Sequence, residues 1–248
     1  MEFSISDPIQ ETSSILKVRV TEIFYSISGE GISSGIPTVF VRFSGCSLRC
    51  GKTQNKKLWC DTKYSLSPKS GKLFTIDEII QVITSLTHCP KQIIFTGGEP
   101  LENDKKEFCV ELTKKISKMR HNKKHAIIRL ETNGKESIRG LRGMVFSMDY
   151  KLPGSGMEKF MNLDNLLVIN ERKNPFDELK FIVRDKRDFA RSVEVIQKNS
   201  VTTNIIYSPV SGECSPQDLA HWVKSSCIPN SRLSLQLHKI IWGSQKGV

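Results

Sequence analysis

A chain of 248 residues can bury a substantial core, either as one large α/β domain or as two small ones, and it contains no run of about eighteen apolar residues to span a bilayer. The start, Met-Glu-Phe-Ser-Ile-Ser-Asp-Pro, lacks the basic and apolar stretches of a secretion signal, and seven cysteines, an odd number, argue against a disulfide framework, so a reducing cytoplasm is the expected compartment. The net charge of +11 points to anionic partners, small carboxylate or phosphate ligands or RNA.

Residues 1–17 carry no period and read as a flexible N-terminal tail before Val18-Arg-Val-Thr-Glu-Ile-Phe-Tyr25. Apolar strand patterns then fall at 38–43, 91–96, 125–130, 144–149, 178–183, 203–208 and 232–237, with helical patterns in most gaps. Thr75-Ile-Asp-Glu78 has the form of a capping box, and Ser215-Pro-Gln-Asp218 sets an N-cap serine before proline. The alternation predicts a parallel sheet, and without repeat, low-complexity tract or linker, residues 18–248 read as a single domain. Polar motifs fall after successive strands, which predicts an α/β fold of the partial (β/α)6 TIM-like barrel kind, with a doubly wound open sheet as the alternative.

Ser28-Gly-Glu-Gly31 follows the first apolar segment, and its glycines permit a tight loop from which Glu30 projects. A carboxylate there suits a planar N-C(NH2)-NH edge through two parallel hydrogen bonds, although a solvent turn has the same composition. Arg42, lone among apolar neighbours, fits either a substrate carboxylate or a structural acid. Cys46, Cys50 and Cys60 come directly after the next strand. Three thiolates bind three irons of a cubane and leave the fourth open to a small molecule, so the cluster is expected to be catalytic. A zinc knot needs a fourth ligand, and the next candidate, His88, lies far along on an expected helix.

Gly97-Gly98-Glu99-Pro100 ends the following strand, with a backbone open to close approach and Glu99 as a fixed acceptor. Glu131-Thr-Asn-Gly134 and Ser147-Met-Asp-Tyr-Lys151 end the next two and offer polar groups at the same rim, where turn formation alone accounts for the small residues about equally well. In Arg232-Leu-Ser-Leu-Gln-Leu-His238, leucines alternate with Ser234, Gln236 and His238, so a strand there would turn a polar face to water or into a barrel cavity, with His238 at its end. Lys114, Lys115, Lys118, Arg120, Lys123 and Lys124 run along a helix end and its turn as a solvated face, and no aromatic residue interleaves them, so direct nucleic-acid contact is not expected. Cys109 shares an apolar helix face with Phe108, Leu112, Ile116 and Met119, and Cys89, Cys214 and Cys227 have no ligand-like spacing.

The cysteines together with Gly-Gly-Glu-Pro resemble the radical S-adenosylmethionine superfamily, in which the glycine backbone holds the methionine amino group. Adding Glu22–Gly31, Phe40–Cys46, Cys60-Asp-Thr62, Thr96–Leu101, Glu131–Gly134, Lys151–Gly156 and Gln236–Lys239, the chain resembles the 7-carboxy-7-deazaguanine synthase family from about residue 18 onward. That resemblance implies a ring-contracting lyase that turns 6-carboxy-5,6,7,8-tetrahydropterin into 7-carboxy-7-deazaguanine with loss of ammonia, in 7-deazapurine (queuosine-type) biosynthesis. An electron from a 4Fe-4S cluster on Cys46, Cys50 and Cys60 would cleave S-adenosylmethionine, and the resulting 5′-deoxyadenosyl radical would take hydrogen from the pterin.

By the same resemblance, S-adenosylmethionine is held by Gly97, Gly98, Glu99, Glu131, Asn133, Ser147, Asp149 and Lys151. The pterin is held by Ile27, Ser28, Gly29, Glu30, Arg42, Thr96, Gln236 and His238. Thr62 offers its hydroxyl to Mg2+. A homodimer and a one-electron donor of the flavodoxin or ferredoxin kind are implied as well. The family spacing is Cys-x3-Cys-x2-Cys, whereas nine residues separate Cys50 from Cys60 here, an expected surface excursion. A glycyl-radical activase and a zinc-stabilised RNA-binding protein are the competing readings.

Overall fold

The computed structural model describes residues 16–52, 58–119, 126–245 and 247–248. The expected tail falls outside them up to position 15, as do most of the spacer between Cys50 and Cys60 and Arg120, Lys123 and Lys124 of the basic run. Nine strands form one sheet: β1 (Val18–Ile27), β2 (Pro37–Phe43), β3 (Lys72–Phe74), β4 (Gln92–Gly97), β5 (Ile127–Thr132), β6 (Val145–Asp149), β7 (Glu178–Val183), β8 (Asn204–Pro209) and β9 (Ser231–Leu233). The helices are α1 (Ile76–Leu86), α2 (Lys105–Lys118), α3 (Asp164–Arg172), α4 (Lys186–Lys198), α5 (Pro216–Ser225) and α6 (Leu237–Trp242). Among the described residues, no helix is long and apolar enough to cross a membrane.

The sheet runs β3-β1-β2-β4-β5-β6-β7-β8-β9, with β1 and β3 antiparallel and every pairing from β2 to β9 parallel. A doubly wound sheet reverses its strand order at a switch point, whereas these parallel strands follow chain order without reversal, as in a barrel. The sheet stays open, yet it curls: the loop after β1 reaches the far strands, with Gly31 N–H donating to Ser234 Oγ at 3.0 Å and Ile32 N–H to Glu178 Oε2 at 2.8 Å. The architecture is the expected partial barrel.

Alternation along each strand divides the two faces. Val39, Val41 and Phe43 of β2, Ile93 and Phe95 of β4, Phe146 and Met148 of β6, and Leu179, Phe181 and Val183 of β7 belong to the hydrophobic core. Against it pack Ile79 and Ile83 of α1, Phe108, Cys109 and Leu112 of α2, and Leu166 and Ile169 of α3. The opposite face carries Arg42, Thr96, Glu131, Ser147, Asp149, Glu178 and Lys180, and this is the face that builds the site.

The capping signals form as written. Thr75 and Glu78 make both bonds of the capping box of α1, and the Ser215 hydroxyl accepts from Asp218 N–H at the start of α5. Lys114, Lys115 and Lys118 are exposed, the first two paired with Glu111 and Asp77, as a solvated helix face requires.

Two expectations are corrected, and two local features were not foreseen. β9 ends at Leu233 and the chain turns into α6, so the strand expected over 232–237 is cut short and His238 lies in the first turn of a helix. The reason is competition: Leu237-His-Lys-Ile-Ile-Trp242 is itself a helical pattern, and the alternation before it is too short to extend an edge strand. The β5–β6 connection, residues 133–144, has no helix, and β3 went unrecognised because three residues carry no period. His88 lies just past the end of α1 rather than on it.

Candidate active site

At the C-terminal ends of the strands the inner face opens into a cavity of about 410 Å³. Every residue assigned a cluster, S-adenosylmethionine, pterin or Mg2+ contact from the sequence lines it except Glu99. The cysteine loop leaves β2 through Gly45, whose N–H donates to Ser65 O at 2.7 Å, while Cys46 N–H donates to Leu66 O at 3.2 Å. Two charged residues that the sequence did not reveal hold this loop. The Glu102 carboxylate accepts Ser47 N–H at 3.0 Å, and the buried Lys105 ammonium donates to Ser44 O and Gly45 O at 3.0 and 2.9 Å. Arg49 Nη1 donates to Cys46 O and Leu48 O at 2.5 and 2.8 Å.

Cys46, Cys50 and Cys60 are free thiols, all partly buried on the wall of the cavity. Burial pushes the Cys46 thiol up to about 11, with Glu102 and Glu99 adding to the effect, and pushes Cys50 up as well, so a metal bound there would displace protons. Asn133 Nδ2 lies 3.6 Å from Cys46 Sγ and can donate to it. Among the described residues, no three His, Cys, Asp or Glu side chains are close enough to hold a single metal ion. Three thiolates that each take a different iron of a cubane need not converge on one point, and all three here line one cavity.

The spacer between Cys50 and Cys60 is corrected in part. Residues 53–57 lie outside the described residues; at its ends Lys52 is exposed, but Gly51 is buried and Leu58 and Trp59 are half-buried. Trp59 lines the cavity, its N–H donates to Cys50 O at 3.2 Å, and Gly51 N–H donates to Ser155 O at 2.9 Å.

Gly97 and Gly98 are required first by the protein's own backbone. Gly97 has φ +118°, and a side chain at either glycine would overlap the chain of the cysteine loop, Phe43 O in one case and Gly45 O in the other. Gly98 N–H donates to Phe43 O and Glu99 N–H to Gly45 O, both at 2.8 Å, so this turn docks the end of β4 on the cysteine loop. The Glu99 side chain, by contrast, is fully buried behind the wall. It accepts from Leu101 N–H at 3.0 Å, Thr132 Oγ1 at 2.8 Å and Asn133 N–H at 2.7 Å, and thereby ties the turn after β4 to that after β5. Burial pushes its carboxyl up to about 7 against those bonds.

Strand register sets the next polar groups side by side. Glu131 pairs in register with Ser147, Ser147 with Glu178, and Asp149 with Lys180. Thr96 Oγ1 donates to Glu131 Oε2 at 2.6 Å, and burial pushes the Glu131 carboxyl up. Ser147 Oγ donates to Glu178 Oε1 at 2.6 Å, and Lys151 is ion-paired with Asp149. Burial opposes the charge on Lys151, but Asp149 and Cys50 prevail and raise its pKa.

The far end is built around Glu30. Its carboxylate is ion-paired with Lys180 and accepts Gln236 Nε2 at 2.6 Å. Burial would raise this carboxyl, but Lys180, the Gln236 bond and His238 outweigh it and hold it at about 2. Gln236 spends its second amide hydrogen on Asp61 Oδ2 at 2.8 Å, beside Lys239 at 2.7 Å from Asp61 Oδ1. His238 packs over Gly29, where a side chain would overlap its ring, and Leu237 N–H donates to Gly29 O at 2.9 Å, so the start of α6 lies on the loop after β1. Ile27 and Ser28 line the cavity beside it, with Ser28 Oγ and Ser33 Oγ sharing a hydrogen bond of 2.9 Å.

Arg42 pairs with the structural acid Glu22 at 2.6 Å and also lines the cavity. Thr62 Oγ1 lies 3.6 Å from Cys60 Sγ and 3.4 Å from Gly97 O. Glu178 and Lys180 were missed, although two charges alternating with Leu179, Phe181 and Val183 in a strand covered by helices are the available signal.

Residues 27–139 match the model of a 4Fe-4S single cluster domain family. The 7-carboxy-7-deazaguanine synthase of Leptospira interrogans is 53% identical over 234 residues, 94% of this chain and 99% of that protein. Its counterpart from Clostridium acetobutylicum is 35% identical over 239 residues, 93% of this chain and 99% of that one. The crystal structure of QueE from Escherichia coli has the same fold, with a TM-score of 0.63 at 22% identity, covering 90% of this chain and 95% of that one. Identity above one half along nearly the full length of both chains means that this chain belongs to the 7-carboxy-7-deazaguanine synthase family.

Proposed function

We propose that this chain makes 7-carboxy-7-deazaguanine from 6-carboxy-5,6,7,8-tetrahydropterin with loss of ammonia, as a carbon–nitrogen lyase of the radical S-adenosylmethionine type. One observation carries the reading: a single cavity joins the three free cysteines, Gly97 and Gly98, and the Glu30–Gln236–His238 end. Cys46, Cys50 and Cys60 would hold the 4Fe-4S cluster. When bound, the cluster and S-adenosylmethionine supply the electron and the radical that begin the reaction. Gly97, Gly98, Glu131, Asn133, Ser147, Asp149 and Lys151 form the wall where S-adenosylmethionine would lie, and Glu99 supports that wall from behind.

On the substrate side, Glu30 is an ionised acceptor for the N-C(NH2)-NH edge, and Ile27, Ser28, Gly29, Thr96, Gln236 and His238 border it. Arg42, anchored by Glu22, presents a cation for a carboxylate. The Thr62 hydroxyl is a hard oxygen donor at the edge of the cysteine loop, suited to Mg2+. Residues 18–248 read as one domain because one contiguous core runs from Val18 to Leu219. Family membership supports a cytoplasmic enzyme served by a flavodoxin- or ferredoxin-like donor. A homodimer is supported by the exposed apolar side chains Leu233, Leu235, Ile240 and Ile241 around β9 and α6.

The test is anaerobic turnover of the iron-loaded protein with S-adenosylmethionine, a strong reductant and carboxytetrahydropterin. The expected product is 7-carboxy-7-deazaguanine in step with ammonia. Full iron content with cleavage of S-adenosylmethionine but no such product would overturn the substrate.

A further inference from the structure

Lys180 stands in the middle of β7, between the core residues Leu179 and Phe181, yet on the cavity face with only 12% of its side chain exposed. A lysine withdrawn from water to this degree keeps its charge only beside partners. Its direct partner is Glu30 Oε2, and Asp149 and Glu131 add negative charge nearby. The second oxygen of Glu30 is held separately, by Gln236 Nε2 at 2.6 Å. Each carboxylate oxygen has two acceptor directions, so both oxygens are fixed by the protein and each keeps one direction for a ligand.

We infer that Lys180 is a positioning residue for substrate recognition, which holds Glu30 as a charged and oriented two-oxygen acceptor for an N-C(NH2)-NH edge. The inference rests on the proposed role of Glu30 as the pterin contact. It adds that the recognition depends on a cation behind the carboxylate, on a strand that the cysteine and glycine motifs do not include.

The groups that act on Glu30 come from several elements. Lys180 lies on β7, Glu131 on β5 and His238 on α6, with Asp61 and Lys239 joined to it through Gln236. Lys180 is in turn flanked by Asp149 with its partner Lys151, and Glu131 by Arg42. Of the cations, Lys180 alone touches Glu30 among the described residues. Without it, burial and Glu131 both favour the protonated carboxyl, which would present a hydroxyl donor toward a ligand edge made of donors. Binding would then require deprotonation and would improve as pH rises.

The experiment measures binding of 6-carboxypterin by its fluorescence, together with anaerobic kcat/KM for carboxytetrahydropterin, from about pH 6.5 to about pH 8.5. Burial lowers the pKa of His238, with Lys239 and Lys180 adding to the effect, so the same profiles are also read in a His238→Gln background, where the imidazole titration is absent. In the parent, Glu30 is expected to add no titration to either quantity, and a step from Glu99, pushed up to about 7 behind the wall, is shared by parent and variants. Relative to the parent, Lys180→Met should weaken both by about tenfold at the acid end and recover toward the alkaline end, while Lys180→Arg should restore the parental profile. Iron content and melting temperature report whether each variant is folded.

A Lys180→Met profile parallel to the parent, or Lys180→Arg no better than Lys180→Met, would overturn the inference while the function stands. A parent that neither binds nor turns over the pterin would overturn both.

Discussion

Glu178 and Arg129 are each 2% exposed, with Nη1 and Oε1 3.6 Å apart. At an effective dielectric of about 20, two unit charges at that separation attract by about 5 kcal/mol, and removing one partner of a buried pair costs about 3–5 kcal/mol because the other charge is left uncompensated. Arg129 has little else to fall back on. Nη2 donates to Phe176 O at 3.1 Å, whereas Nε and Nη1 have no hydrogen-bond partner. Glu178 also accepts Ile32 N–H and the Ser147 hydroxyl, and glutamine can keep an acceptor there without the charge.

Glu178→Gln should therefore lower stability by about 3–5 kcal/mol, roughly 10 °C in melting temperature for a chain of this size. Arg129→Met should cost a similar amount by stranding the carboxylate. The double variant removes both charges at once and should regain about 2–3 kcal/mol relative to the sum of the singles. The assay is denaturant unfolding of the iron-loaded protein under anaerobic conditions, completed as a double-mutant cycle. Costs that add to within about 0.5 kcal/mol would refute a coupled buried pair.

Gly98→Ala would set a methyl into Gly45 O, against backbone that cannot swing aside, and should cost about 3 kcal/mol while displacing the loop that carries Cys46. Iron content after anaerobic reconstitution is expected to fall several-fold, and parental iron content with parental stability would contradict the docking role of the turn. Thr62→Ala should retain iron and uncoupled cleavage of S-adenosylmethionine but respond less to added Mg2+ in product formation; an unchanged Mg2+ response would exclude Thr62 as a ligand.

What was legible in the sequence, and what was not, follows from the range over which each residue acts. Strand alternation and the capping residues Thr75 and Ser215 are local, and the elements they predict are present. The motifs after β2, β4, β5 and β6 were found because in-register parallel strands put equivalent positions at one rim, so sequence order maps onto spatial order. The burial of the Glu99 side chain was not legible for the complementary reason. Within Gly-Gly-Glu-Pro nothing distinguishes a side chain that faces the cavity from one that accepts Leu101 N–H, Thr132 Oγ1 and Asn133 N–H behind the wall, since two of those partners lie at the end of another strand and just after it.

Lys105, Glu178 and Lys180 went unseen because each acts across the sheet on a motif distant in sequence: Lys105 on the Gly45 carbonyl, Glu178 on Ile32 N–H, Lys180 on Glu30. A charge buried in a strand or at a helix start has to have a partner, and in this protein the partners are the very loops that the motifs identify. The conspicuous residues therefore mark where chemistry would occur, and the inconspicuous buried charges fix the geometry in which it could.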